Sequence, residues 1–177
     1  MILDSHRDHM YAKPFGKEMK QGDVLKPTLL LKGTLDFPEC TPPLKNKKCK
    51  MSLDIESPFV AVLSHDCDVS SENIGKRDFI VVSPLHSISA GRKEFLKKSG
   101  VDNLTSLNVV KPGVAFVNLF YYGPDPKLND MECLVDFTNV FSLNAGSVDV
   151  ESDKVLELDK STRKSFASKL SLNFHRG

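Results

Sequence analysis

Phe59-Val60-Ala61-Val62-Leu63-Ser64-His65-Asp66-Cys67-Asp68 is an apolar run of five residues that stops on a polar cluster. A valine-rich run of this length predicts a buried strand over Phe59 to Ser64, with the cluster at the strand's end. An imidazole, a thiol and two carboxylates at such a place can bind a metal, activate a thiolate or shape a turn. Continued in extended form, the chain would put His65 and Cys67 on one face and Asp66 and Asp68 on the other. His65, Cys67 and Asp68 are the candidate metal ligands, since zinc takes thiolate, imidazole and carboxylate, and Asp-x-Asp suits magnesium or calcium. Further ligands would have to come from His86, Cys133, Cys40 or Cys49. Asp66 and Asp68 flank the thiol and disfavour a thiolate nucleophile. The turn reading, with Cys67 turned inward beside His65 as a small hydrophobe, needs no cofactor; zinc or another divalent metal is the alternative.

On the N-terminal side, residues 1–20 lack sustained periodicity and predict an arm. Gln21-Gly22-Asp23 signals a turn before Val24-Leu25, and Thr28 to Leu31 forms a short strand after Pro27. Residues 36–50 carry three prolines and four lysines, an exposed basic loop. On the C-terminal side, strands are predicted at Phe79 to Leu85, Val114 to Phe120 and Cys133 to Leu143, the last from partial alternation. Ala90 to Ser99 predicts a short basic helix ending at Gly100. Phe166, Leu170 and Phe174 recur every four residues in a closing helix capped by Asp159 or Ser161, with Lys164, Lys169, His175 and Arg176 serving the helix dipole and the solvent face. The order predicts an α+β fold: one domain over residues 21–177, built on a small, strongly bent antiparallel barrel with inserted short helices and a C-terminal helix.

Composition sets limits on function. The 177 residues are 40% hydrophobic and 27% charged, an ordinary globular balance. Lys and Arg number 24 against 23 Asp and Glu, a formal charge of +1. Global charge therefore points to no polyanionic partner, which leaves only a local basic face for one. No stretch approaches the roughly 18 to 20 apolar residues of a membrane span, and the N-terminus lacks the halves of a signal peptide. The expectation is a cytoplasmic protein without a membrane partner, its four cysteines reduced.

Taken together, Gly22-Asp23-Val24, Pro58-Phe-Val-Ala-Val-Leu-Ser64, Ile80-Val-Val-Ser-Pro-Leu85 and Leu156-Glu-Leu-Asp159 before a closing helix resemble the MazF/PemK-like barrels. The resemblance spans residues 21–174 in order, with insertions at about 32–56 and 86–130. It implies an SH3-like barrel, commonly a homodimer and often an endoribonuclease toxin. Ser57 stands where that family carries its assisting arginine, and His86 followed by Ser87 falls near its active-site threonine. RNA cleavage of this kind needs a cation for the pentacoordinate phosphate and a group to move the 2′-hydroxyl proton. Ser57 supplies no cation.

The leading expectation is a non-catalytic barrel that binds a protein or nucleic-acid partner in a toxin or defence setting. The alternatives are a divergent endoribonuclease using His86 and Ser87, with Arg77 or Arg92 approaching from a loop, and a metal-dependent hydrolase centred on His65, Cys67 and Asp68. Arg77, Arg92 and Lys93 are the candidate phosphate contacts, and Tyr121 and Tyr122 the candidate stacking pair for RNA.

Overall fold

The computed structural model describes residues 10–27, 30–32, 54–56, 59–70, 72–73, 76–110 and 116–174, with backbone alone at 30–32 and 54–56. The basic stretch 36–50 with Cys40 and Cys49, together with Ser57, His175 and Arg176, lies outside the described residues. Elements run β1 (Val24–Leu25), β2 (Leu30–Lys32), β3 (Asp54–Glu56), β4 (Val60–Val62), α1 (Asp66–Val69), β5 (Phe79–Ser87) and α2 (Ala90–Lys98). They continue as β6 (Leu119–Tyr122), β7 (Cys133–Asp136), β8 (Phe141–Asn144), α3 (Val150–Asp153), β9 (Lys154–Leu156) and α4 (Lys160–Phe174). The fold is α+β. Seven strands form one antiparallel sheet in the order β6-β7-β5-β4-β1-β9, with β8 also on β5, and β2 pairs β3 separately.

β4 is apolar throughout because both of its faces are covered. Ala61, with Leu63 just beyond the strand, enters a core with Phe120, Tyr122, Phe137 and Phe166, while Val60 and Val62 enter a second with Leu25, Ile80, Val82 and Leu143. β5 is the long central strand: one edge takes β4, and the other takes β8 along Phe79–Val82 and then β7 along Leu85–Ser87. The change of partner falls at Ser83-Pro84. Ser83 is buried there and its hydroxyl donates to the Asp136 carbonyl at 2.9 Å, where β7 ends.

Cys133 to Leu143 is thus two strands and not one. Asp136 Oδ1 accepts from the Thr138 amide at 2.9 Å and its hydroxyl at 2.6 Å, an Asx turn that separates β7 from β8. The alternation persisted through this turn because Phe137 drops into the core from it.

The sheet is not closed into a barrel: β6 and β9 are the ends of its path. Residues 10–12, part of the expected arm, lie in that gap. Tyr11 bridges Leu158, its hydroxyl donates to the Gly123 carbonyl at 2.6 Å, and the Ala12 amide donates to the Glu157 carbonyl at 2.9 Å. Nearby, Gly22 sits at φ +86°, and a Cβ there would meet Leu158 Cδ1 at 2.7 Å. Glycine is required on both counts.

A buried ionic cluster secures this corner. Lys154 Nζ lies 2.8 Å from both Asp23 and Glu157 and donates to the Gly16 and Glu18 carbonyls. Lys20 and Arg163 reach the other Glu157 oxygen, each at 2.8 Å. Burial opposes the Glu157 charge, but hydrogen bonds from Lys154, Lys20 and the Gly16 amide outweigh it and bring the carboxyl down to about 2. Burial pushes Asp23 the other way, up to about 6, against the Lys154 contact.

α4 starts on Asp159, whose carboxylate accepts from Ser161 and Thr162. Phe166 packs edge to face on Phe120 at 4.9 Å and on Phe137 at 5.2 Å, and Leu170 is buried beside it. Phe174, expected on this stripe, is 56% exposed. Lys169, expected toward solvent, is fully buried and donates to the carbonyls of Leu107, Phe116 and Leu119. The segment around β6 presents carbonyls that no strand partner takes, and the ammonium has three protons to give them.

Two outcomes are expected. Replacing Lys169 with alanine strands those carbonyls and costs about 3 kcal/mol or more, read from denaturant midpoints. A carboxyl depressed in the folded state contributes stability above its unfolded value that is lost as pH falls through the folded one. The stability gap between parent and Glu157→Gln is therefore full above pH 4.5 and shrinks as pH falls toward 2.

Candidate functional site

β5 delivers His86 and Ser87 to the surface, paired with Leu134 and Cys133 of β7. Two residues later Ser89 caps α2, its hydroxyl accepting from the Arg92 amide at 3.2 Å. The short connection folds the first turn of the helix back over the strand end. Arg92 thereby faces His86, Ser87 and Ser89 across an open cleft of about 320 Å³, with Leu134 and Asp136 completing its wall. The sequence-predicted pair His86 and Ser87 and the predicted cation Arg92 share one site.

The charged groups on the cleft wall are Arg92 and Asp136. Burial opposes the Asp136 charge, but hydrogen bonds from Thr138 and from Asn118 Nδ2 at 2.9 Å, together with the Arg92 charge, hold it below the usual carboxylate range. Those hydrogen bonds all end on Oδ1. Arg92 makes no ion pair among the described residues, and its guanidinium lies 5.4 Å from the Phe95 ring centre. The Asn139 side-chain amide nitrogen donates to His86 Nε2 at 3.3 Å. A guanidinium, an exposed imidazole, two hydroxyls and the leading end of a nine-residue helix are the donors a phosphate group takes.

The other predicted contacts lie elsewhere. Lys93 pairs with Glu132 outside the cleft wall. Arg77 pairs with Asp68 at 2.6 Å and lines a separate hollow with Asp78, Asn144 and Gly146. Tyr121 and Tyr122, the candidate stacking pair, are buried in β6, both of whose faces are covered. The Tyr122 hydroxyl donates to the Gly22 carbonyl at 2.8 Å, and that of Tyr121 donates to Glu132 at 2.8 Å. Neither offers a ring for stacking.

The His-Asp-Cys-Asp cluster also departs from expectation. β4 ends at Val62, and His65 caps the single turn α1, so strand alternation does not govern the cluster. Cys67 is exposed, not inward, with Sγ 3.0 Å from His65 Nδ1. Asp66 accepts from the Gln21 amide at 2.6 Å, and Asp68 holds Arg77. Two of the four side chains are therefore committed to fastening α1 to its neighbours. Cys133 is buried in the core and remote from solvent. Among the described residues, no three His, Cys, Asp or Glu side chains form a metal-holding group.

Sequence reading missed Ser89 and Asp136. Each carried a signal: Ser89 stands three residues before Arg92 as a helix cap, and Asp136 two before Thr138 as an Asx turn.

Burial, seconded by the Glu132 charge, raises the Cys133 thiol to about 11. In the native protein iodoacetamide at pH 8 is expected to label Cys67 within minutes and Cys133 only after unfolding, read by peptide mass mapping. Equal native labelling of the two would overturn the burial assignment.

Comparison with protein-family models and with curated proteins gives no match for this chain.

Proposed function

We propose that this chain is a non-catalytic module of MazF/PemK-like type that binds single-stranded RNA, a backbone phosphate occupying the cleft between His86, Ser87, Ser89 and Arg92. The observation that carries this reading is that the predicted pair His86 and Ser87 and one of the two predicted arginines, Arg92, line one open cleft. The net charge of +1 is near neutral, yet α2 carries Arg92 on the cleft and Lys97 farther along, Lys93 and Lys98 being paired with Glu132 and Glu94. A local field of this kind attracts a phosphate backbone without a basic chain as a whole. The proposal includes the homodimer, the cytoplasmic setting and the toxin or defence context that the family resemblance implies.

A second reading, RNA cleavage, is favoured by one fact: the cation that Ser57 does not supply has a counterpart in Arg92, on the same cleft as His86. His86 would take the 2′-hydroxyl proton while the 2′-oxygen forms its bond to phosphorus and the bond to the 5′-oxygen breaks, Arg92 neutralising the phosphorane.

Fluorescence anisotropy with a labelled single-stranded oligoribonucleotide tests both. Binding is expected to weaken with salt, and Arg92→Ala to weaken it uniformly across sequences and to flatten the log–log salt slope by about 0.7, the loss of one phosphate contact. A parent that binds no RNA, or an Arg92→Ala variant with an unchanged slope, would count against the module. Full-length RNA after prolonged incubation supports binding alone, whereas cleavage abolished by His86→Ala would establish the second reading instead.

A further inference from the structure

Phe95 is 50% exposed on α2, the helix that carries Arg92. Its neighbour Leu96 already supplies the buried contact of that helix, so Phe95 is not required to seal the core. Two contacts nevertheless fix its ring. Phe116 meets it edge to face at 6.1 Å and 70°, and the Arg92 guanidinium lies 5.4 Å from its centre. An aromatic ring held in one orientation at the surface loses little entropy when a flat ligand stacks on it.

Two other exposed phenylalanines lack this setting. Phe79 begins β5, about 23 Å along the strand from His86, and Phe174 ends α4. Only Phe95 shares an element with the cleft cation and touches it. Arg92 therefore stands between an exposed ring and the open cleft, the two receptors that one nucleotide of an unpaired strand requires.

We infer that Phe95 is the stacking platform of the site: one base of single-stranded RNA lies on its ring while the phosphate of that nucleotide enters the His86–Arg92 cleft. This rests on the RNA-binding reading above and adds the requirement for an unpaired base. Stacking on an aromatic ring is tolerant of base identity, so the ligand class is single-stranded RNA of mixed sequence, with duplex RNA excluded because its bases are already stacked.

The chain contains no tryptophan, so Phe95→Trp places a single fluorophore at the platform. Titration with oligo(A) or oligo(U) is expected to quench it, whereas an abasic oligonucleotide and inorganic polyphosphate leave its emission unchanged. Phe95→Ala, with a melting temperature near that of the parent, is expected to bind the oligoribonucleotides about 10-fold more weakly and polyphosphate equally well. RNA binding that depends on Arg92 but is indifferent to Phe95→Ala, with no quenching, overturns the platform and leaves the RNA-binding module standing. No RNA binding by the parent overturns both. Quenching by polyglutamate as strong as that by RNA overturns the platform in favour of an acidic protein partner.

Discussion

Lys154 holds this fold at its weakest ladder. β1 contributes two residues, and its pairing with β9 is broken by an irregularity between Val24 and Leu25. Such a ladder supplies little cohesion by itself. The Lys154 ammonium replaces it, drawing Asp23 beside β1, Glu157 after β9 and two carbonyls of the N-terminal segment onto one point. A buried ion pair is no more stabilising than a well-packed apolar substitute, yet removing one member costs about 3–5 kcal/mol because a charge is left uncompensated. Its effect here is to tie the two strands together at the observed register, Asp23 and Glu157 meeting one ammonium. Lys20 and Arg163 extend that constraint to the turn before β1 and the first turns of α4.

The cleft follows from how β5 is shared. A strand of nine residues that exchanges β8 for β7 halfway must bend, and the bend turns its last residues away from the main ladder. His86 and Ser87 stay paired with β7 and have exposed side chains, and the helix that follows begins at Ala90. The site is therefore a product of backbone path, with a carboxylate at the end of β7 that is already satisfied by its own turn. Arg92 is left facing a concavity in which the only local anion has other partners.

Much of the architecture was legible. A continuous apolar run marked β4 because that strand is covered on each face, and an aspartate cap marked the start of α4. Where reading failed, the cause was a partner distant in sequence. Lys169 looked like a solvent residue because the carbonyls that receive it belong to Leu107, Phe116 and Leu119, which no helical wheel displays. Tyr121 and Tyr122 were candidates for stacking as adjacent aromatics before Gly123-Pro124, yet they belong to a strand that is buried on both sides. The His65 to Asp68 cluster was misplaced because a single helical turn follows the strand, and one turn is too short to carry a periodic signal. For the cleft, the residue types were visible but their convergence was not, since it depends on the bend in β5.

Tyr11 sets an order on how the chain reaches this state. Its hydroxyl meets a carbonyl 112 residues away, and its backbone meets Leu158 farther still. Contacts between such distant positions carry a large loop-closure entropy and form late. During synthesis, β4, β5, β7 and β8 can pair while residues 10–12 wait for β9 and Leu158 to leave the ribosome. A segment made before the sheet is thus among the last to find its place, and until then the two ends of the sheet are open edges available to a neighbouring chain.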